Sequence, residues 1–171
     1  NATTTALWVK ELSSARSEEK AAIIRMLGDR RAATALPAIL KELKDGDTEV
    51  KVAAITASGK IGQAKVLPDL LETMSTGNPA EITAGQNALM VMKGSTVTAK
   101  VADALPNMPA AAQPALINVL AARGAHDHIN VVLPLLNSSD PGARAAAYAS
   151  LKDLAGEDNL AQLYSLLASS T

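Results

Sequence analysis

The densest group of reactive side chains in the chain is His126, Asp127 and His128, within the run GAHDHIN. Two imidazoles and a carboxylate can bind zinc, but a zinc site needs three or four donors in tetrahedral array, and no further donor follows at ligand spacing. The same residues read as an exposed turn, and no metal site is expected. Cysteine is absent, which excludes disulfides, thiolate nucleophiles and thiolate metal ligands. No Ser/His/acid order, glycine-rich phosphate loop or HExxH motif appears. Gly28, Gly59 and Gly62 fall inside or at the ends of helical patterns and do not form a phosphate cradle. Glu18 and Glu19 stand at a helix start, where the helix dipole accounts for them without acid–base chemistry. Lys41, Glu42, Lys44 and Asp45 form a mixed run expected on a solvated helix face. No catalytic residue and no cofactor are expected.

Composition narrows the classes further. Of 171 residues, 48% are apolar, which suits a folded chain with a sizeable core. Aromatic residues are scarce: Trp8, Tyr148 and Tyr164, with no Phe. Side chains that wall a cofactor pocket or stack on bases are therefore almost missing. The net charge is -1, without the basic excess that phosphate binding requires, so no nucleic-acid partner is expected. No apolar run approaches the roughly 18 residues of a membrane span. The chain begins at Asn1 rather than Met, which leads us to expect a module of a larger protein, with a bacterial periplasmic or secreted setting.

The elements that would carry any site come from an internal repeat. Asp47, Asn78 and Asp140 open similar segments, the first two 31 residues apart and the last two 62. One apolar column reads Leu12, Leu43, Met74, Leu105, Leu136, Leu167, and a second Trp8, Ile39, Leu70, Val101, Val132, Leu163. A third reads Val9, Leu40, Leu71, Ala102, Leu133, Tyr164. In the other half of the unit stand an alanine column, Ala22, Ala53, Ala84, Ala115 and Ala146, and the column Leu27, Ser58, Leu89, Leu120, Leu151. Each unit therefore holds two segments with helical periodicity, helix A and helix B. Asp47, Asn78 and Asp140 have the chemistry of N-caps for helix B, with Pro79 and Pro141 at the favoured first helical position. Glu81, three residues after Asn78, suggests a capping box. Gly62, Gly94, Gly124 and Gly156 stand where a glycine would stop helix B. Pro109 and Pro114 should kink or delay helix B of one unit, and Pro134 should disturb a helix A.

DPGARAAAYASLKDLAG (140–156) and DTEVKVAAITASGKIG (47–62) resemble the short HEAT-like repeat, of the kind seen in phycobilisome lyases. The likeness extends over essentially the whole chain. It implies an all-α, right-handed α-α superhelix, a HEAT-like solenoid of 31-residue helical hairpins, with B helices lining the concave side. The chain would be a single HEAT-like repeat domain, 1–171: units at about 1–31, 32–62, 63–94, 95–125 and 126–156, and a half unit at 157–171. The alanine column would let helix B lie close to its neighbours.

The candidate binding surface is the outward side of helix B. One column there reads Arg25, Thr56, Asn87, Asn118, Ala149 and the next Ile24, Ile55, Gln86, Ile117, Tyr148. Asn and Gln donate and accept hydrogen bonds, and Tyr148 adds apolar area with a polar tip. Arg25, Thr56, Gln86, Asn87, Asn118 and Tyr148 are the residues expected to hold a protein or peptide partner, or a flanking domain. The same row also reads as a solvated or inter-repeat surface. The function expected is a non-catalytic interaction scaffold, monomeric and acting as no enzyme. The alternatives are an enzyme of HEAT-like type, bilin lyase or DNA glycosylase, or a purely structural spacer.

Overall fold

The structure, a computed structural model, describes residues 2–160 and 163–164. Among them every regular element is helical. The terminal helix expected at about 159–168, with Leu167, lies for the most part outside the described residues. The chain divides into two compact units, Asn1–Lys100 and Val101–Thr171.

In the first unit the B helices are α2 (Ser17–Asp29), α4 (Thr48–Gly62) and α6 (Pro79–Val91). The A positions hold α1 (Ala2–Leu12), α3 (Leu36–Lys41) and α5 (Leu67–Met74), and α7 (Ser95–Ala104) follows. Helix α4 packs on α2 on one side and α6 on the other, while α3 and α5 lie against α4 and α6. Their shared core includes Leu12, Ile24, Leu27, Ile39, Val50, Ile55, Leu70, Met74 and Leu89, all nearly or wholly removed from solvent. In the second unit α8 (Gln113–Ala122) packs on α9 (Pro141–Leu154). The core there is built from Leu105, Leu116, Ile117, Leu120, Val132 and Leu154.

The starts of helix B follow the sequence. Asp47 accepts a hydrogen bond from the Glu49 N–H at 2.7 Å, Asn78 from the Ala80 N–H at 2.9 Å and Asp140 from the Ala143 N–H at 2.7 Å. Helix α2 begins differently: the Glu19 carboxylate reaches back to accept from the Arg16 N–H at 3.2 Å. Glu81, expected to do the same for Asn78, does not. It turns inward and is fully buried.

Proline delays the expected helices. The segment after α7 passes through a 3-10 turn at Leu105–Asn107, and α8 starts only at Gln113. Pro114 then sits in the first turn, where its missing N–H is not needed. In the following A position no α-helix forms; two 3-10 segments, His126–Val131 and Leu133–Asn137, take its place, with Pro134 at the start of the second. They nonetheless bury Ile129, Val132, Leu133 and Leu136.

Two expectations about small residues need correction. Of the alanine column, Ala53, Ala84 and Ala115 are buried, but Ala22 is exposed and Ala146 half-buried. The closest approach between B helices occurs later along them. A Cβ on Gly28 would stand 2.8 Å from the Ala57 Cβ, and one on Gly59 would stand 2.6 Å from the Ala88 Cβ and 3.0 Å from its Cα. Gly28 and Gly59 are 31 residues apart, as are Ala57 and Ala88. Among the expected stop glycines, Gly94 and Gly124 have the positive φ that favours glycine. Gly62 instead ends α4 with ordinary helical dihedrals, and Gly156 is extended.

The charged run also differs from a wholly solvated face. Lys20 of α2 donates to Glu42 at 2.9 Å and to Asp45 at 2.8 Å, and all three side chains are largely buried. The hydrogen bond from Lys20, and then one from the Asp47 N–H, hold the Asp45 carboxyl below its usual range. The bonds to Asp45 and Glu42 raise Lys20 above its own.

Gly59→Ala should lose about 1–3 kcal/mol by overpacking, despite the higher helix propensity of Ala. Gly46→Ala, with nothing near its added Cβ, should stay within about 0.5 kcal/mol of wild type in urea unfolding. Because Asp45 has a depressed pKa in the folded state, its stabilisation is complete above the unfolded value near 4 and lost as pH falls toward the folded one. Lys20→Met should therefore cost roughly 1 kcal/mol at neutral pH, a deficit that shrinks as thermal melts are taken down to about pH 2.

Candidate functional site

The residues expected to bind a partner occupy different environments. Arg25 is exposed on α2 and pairs with Glu49 of α4 at 2.7 Å. Thr56 is half-buried, and its hydroxyl donates to the Val52 carbonyl at 2.9 Å. Asn87 is exposed on α6, with Gln86 half-buried beside it. In the second unit Asn118 is exposed on α8 and Tyr148 is 53% exposed on α9. Ile24, Ile55 and Ile117, which share a column with Gln86 and Tyr148, are wholly buried. Those three isoleucines face the core, whereas within the first unit Arg25, Thr56 and Asn87 form an outward row.

Between α2 and α4 the outward side is not flat. Because Gly28 and Ala57 meet without bulk, a depression of about 220 Å³ remains, lined by Arg25, Gly28, Asp29, Thr56 and Lys60. It continues, through Gly28, Asp29 and Lys60, into a groove of about 410 Å³ toward the C-terminal ends of the B helices. Arg31, Gln63, Val91 and Lys93 complete the walls of that groove. Lys60 pairs with Asp29 at 2.7 Å, and these two residues are again 31 apart.

Arg31 has an unusual backbone. Its N–H donates to the Gly28 carbonyl at 2.9 Å, and the Ala32 N–H donates to the Leu27 carbonyl at 3.0 Å, closing α2 in a Schellman motif. The same two bonds close α8, from Gly124 to Ala121 and from Ala125 to Leu120. Arg31 and Gly124 are 93 residues apart, three periods. Arg31 thus holds at φ 49° a position that glycine fills later in the chain. For a residue with a Cβ this costs about 1 kcal/mol. Gln63, on the same groove, has φ 52° and ψ -148°.

A second cavity, of about 280 Å³, lies on the other side of α4 among Leu40, Leu43, Lys51, Thr73, Thr76 and Glu81. The buried Glu81 carboxylate has one oxygen 2.5 Å from the Lys51 Nζ, a close ion pair not aligned as a hydrogen bond, and the other accepting from the Thr76 hydroxyl at 3.0 Å. Lys51 stands one period after Lys20, and Thr73 and Thr76 one period after Glu42 and Asp45. The lysine position repeats; its carboxylate partner moves from the A segment to the next B helix. This arrangement ties α4 to α6.

His126 uses its Nδ1 on the Leu154 carbonyl at 3.1 Å, at the C-terminal end of α9, where an imidazole donor suits the helix dipole. Among the described residues no three His, Cys, Asp or Glu side chains gather to hold a metal ion, and no helix is long and apolar enough to cross a membrane. Sequence reading missed Gly28, Gly59, Arg31, Lys60 and Lys93. The available signals were the repeated Gly–Ala register, the Asp29–Lys60 spacing and an arginine where a later repeat has glycine.

Helical hairpins whose B helices pack side by side, with shorter A segments against them, define an all-α repeat protein. A family profile described as HEAT repeats matches residues 5–90, half of the chain, and the chain belongs to that family. No curated protein matches it. A solved structure similar in fold is the complex of CpcE and CpcF of phycocyanin lyase from Nostoc sp. PCC7120. The match has 22% identity and a TM-score of 0.62, over 93% of this chain and 68% of that one.

The buried pair gives a direct test. Lys51→Met leaves Glu81 buried without its cation and should cost about 3 kcal/mol, whereas adding Glu81→Leu should recover most of that loss. Urea unfolding of wild type, single and double variants measures both; equal losses for single and double would contradict the pairing.

Proposed function

We propose that the protein is an interaction module that binds another protein, or a flanking domain, through the outward surface of its B helices, and performs no chemistry of its own. The observation that carries this reading is the outward row of Arg25, Thr56 and Asn87 beside a groove floored by Gly28. Helices locked at close distance present such a surface with little conformational freedom left to lose on binding. Repeat proteins of this kind offer extended surfaces assembled from neighbouring repeats. The similar solved structure is a complex of two proteins, which supports the same reading. Of the aromatic residues a bilin or a flipped base would stack on, Tyr148 is the one on a described B helix, which speaks against the two enzyme readings.

A photo-crosslinking residue placed at Asn87 in the cell that makes the protein should trap a specific protein adduct, and one at the exposed Lys41 of α3 should not. Adducts from Lys41 alone would overturn the choice of surface. Adducts from neither position would overturn the binding role itself.

A further inference from the structure

We propose that the groove at the C-terminal ends of α2, α4 and α6 takes an acidic, extended segment of the protein partner, with Arg31 and Lys93 as its recognition residues. This rests on the binding role proposed above and names the chemistry of the partner.

Three cations, Arg31, Lys60 and Lys93, line one groove of about 410 Å³ with a single carboxylate, Asp29. Asp29 is engaged by Lys60 at 2.7 Å. Arg31 and Lys93 are exposed and form no ion pair among the described residues. The groove therefore has an excess of two positive charges in a chain whose net charge is -1. Cations at helix C-termini also complement the helix dipole, but that purpose does not explain Arg31. Its position closes the Schellman motif that Gly124 closes elsewhere without strain, so glycine would serve the fold better. A long guanidinium on a left-handed backbone is a strained residue of the kind that gathers at ligand sites. Gln63, with its own positive φ, lines the same groove and offers an amide donor. Val91, 62% exposed, supplies an apolar wall for the methylene groups of Glu side chains. A fork of guanidinium donors matches a carboxylate in two places at once.

The test uses the full chain and a fluorescein-labelled hexaglutamate peptide, with hexaglutamine and a six-residue oligothymidylate as comparison probes. Hexaglutamate should bind at least about tenfold tighter than hexaglutamine, and its binding should weaken with added salt, because exposed charges are screened. Arg31→Gly with Lys93→Gln should weaken hexaglutamate binding at least about fivefold while the melting temperature stays level or rises, since the glycine relieves the backbone. Lys41→Gln with Lys44→Gln, away from the groove, should leave binding unchanged. Equal binding of the two peptides, or no loss in the Arg31/Lys93 variant, would overturn the proposal. Tighter binding of the oligothymidylate with the same variant dependence would overturn it in favour of a nucleic-acid site. The Asn87 crosslink separates the two readings: an adduct that survives while hexaglutamate ignores the variant removes the acidic-segment proposal and leaves the binding role standing.

Discussion

At Gly28 against Ala57, and again at Gly59 against Ala88, neighbouring B helices come so close that one methyl group more would collide with backbone. Close packing of this kind gains dispersion energy over the full length of the contact and leaves little tolerance for added volume. Helix α4 has such a contact on each side. The A segments carry a lighter demand. They need only cover the hairpin with Leu, Ile and Val, so α3 can be six residues long and the segment 126–137 can run entirely as 3-10 turns.

The same contacts produce the surface features. Removing side chains at Gly28 leaves a depression, and the polar residues within a turn of Gly28 and Ala57 become its rim. Charge is handled repeat by repeat. Lys20 and Lys51 hold one position, yet the first finds carboxylates on the A segment and the second finds Glu81 on the next B helix. Where Glu42 and Asp45 give way to Thr73 and Thr76, the acid has relocated and Thr76 donates to it. A buried lysine position thus keeps a partner although its surroundings change, as the cost of an uncompensated charge requires.

Much of this was legible in the residues themselves. The caps Asp47, Asn78 and Asp140, the buried column Leu12, Leu43, Met74, Leu105 and Leu136, and the effect of Pro114 follow from local chemistry that tertiary context left undisturbed, whereas Trp8 and Tyr164, read in the same way, are exposed. Glu81 was misread because a capping box and an inward ion pair need the same residue at the same place, and only the position of Lys51 decides between them. Ile24, Ile55 and Ile117 lie in the core, not on the outward side, for a rotational reason: on a helix packed on two sides, one residue's offset separates core from surface. Gly28 and Gly59 passed as ordinary helix glycines, since close approach is a property of pairs of helices that no single helix displays. Arg31 was invisible as a strained residue until its φ was known.

The claim that the B helices hold the first unit together is tested most directly by native-state hydrogen exchange. Amides in the middle of α4, from Ala53 to Ser58, should exchange slowest in residues 1–100 and open only with global unfolding, with α3 and α5 opening earlier. Exchange of α4 as fast as that of α3, or an A segment that outlasts it, would show that the stability resides elsewhere.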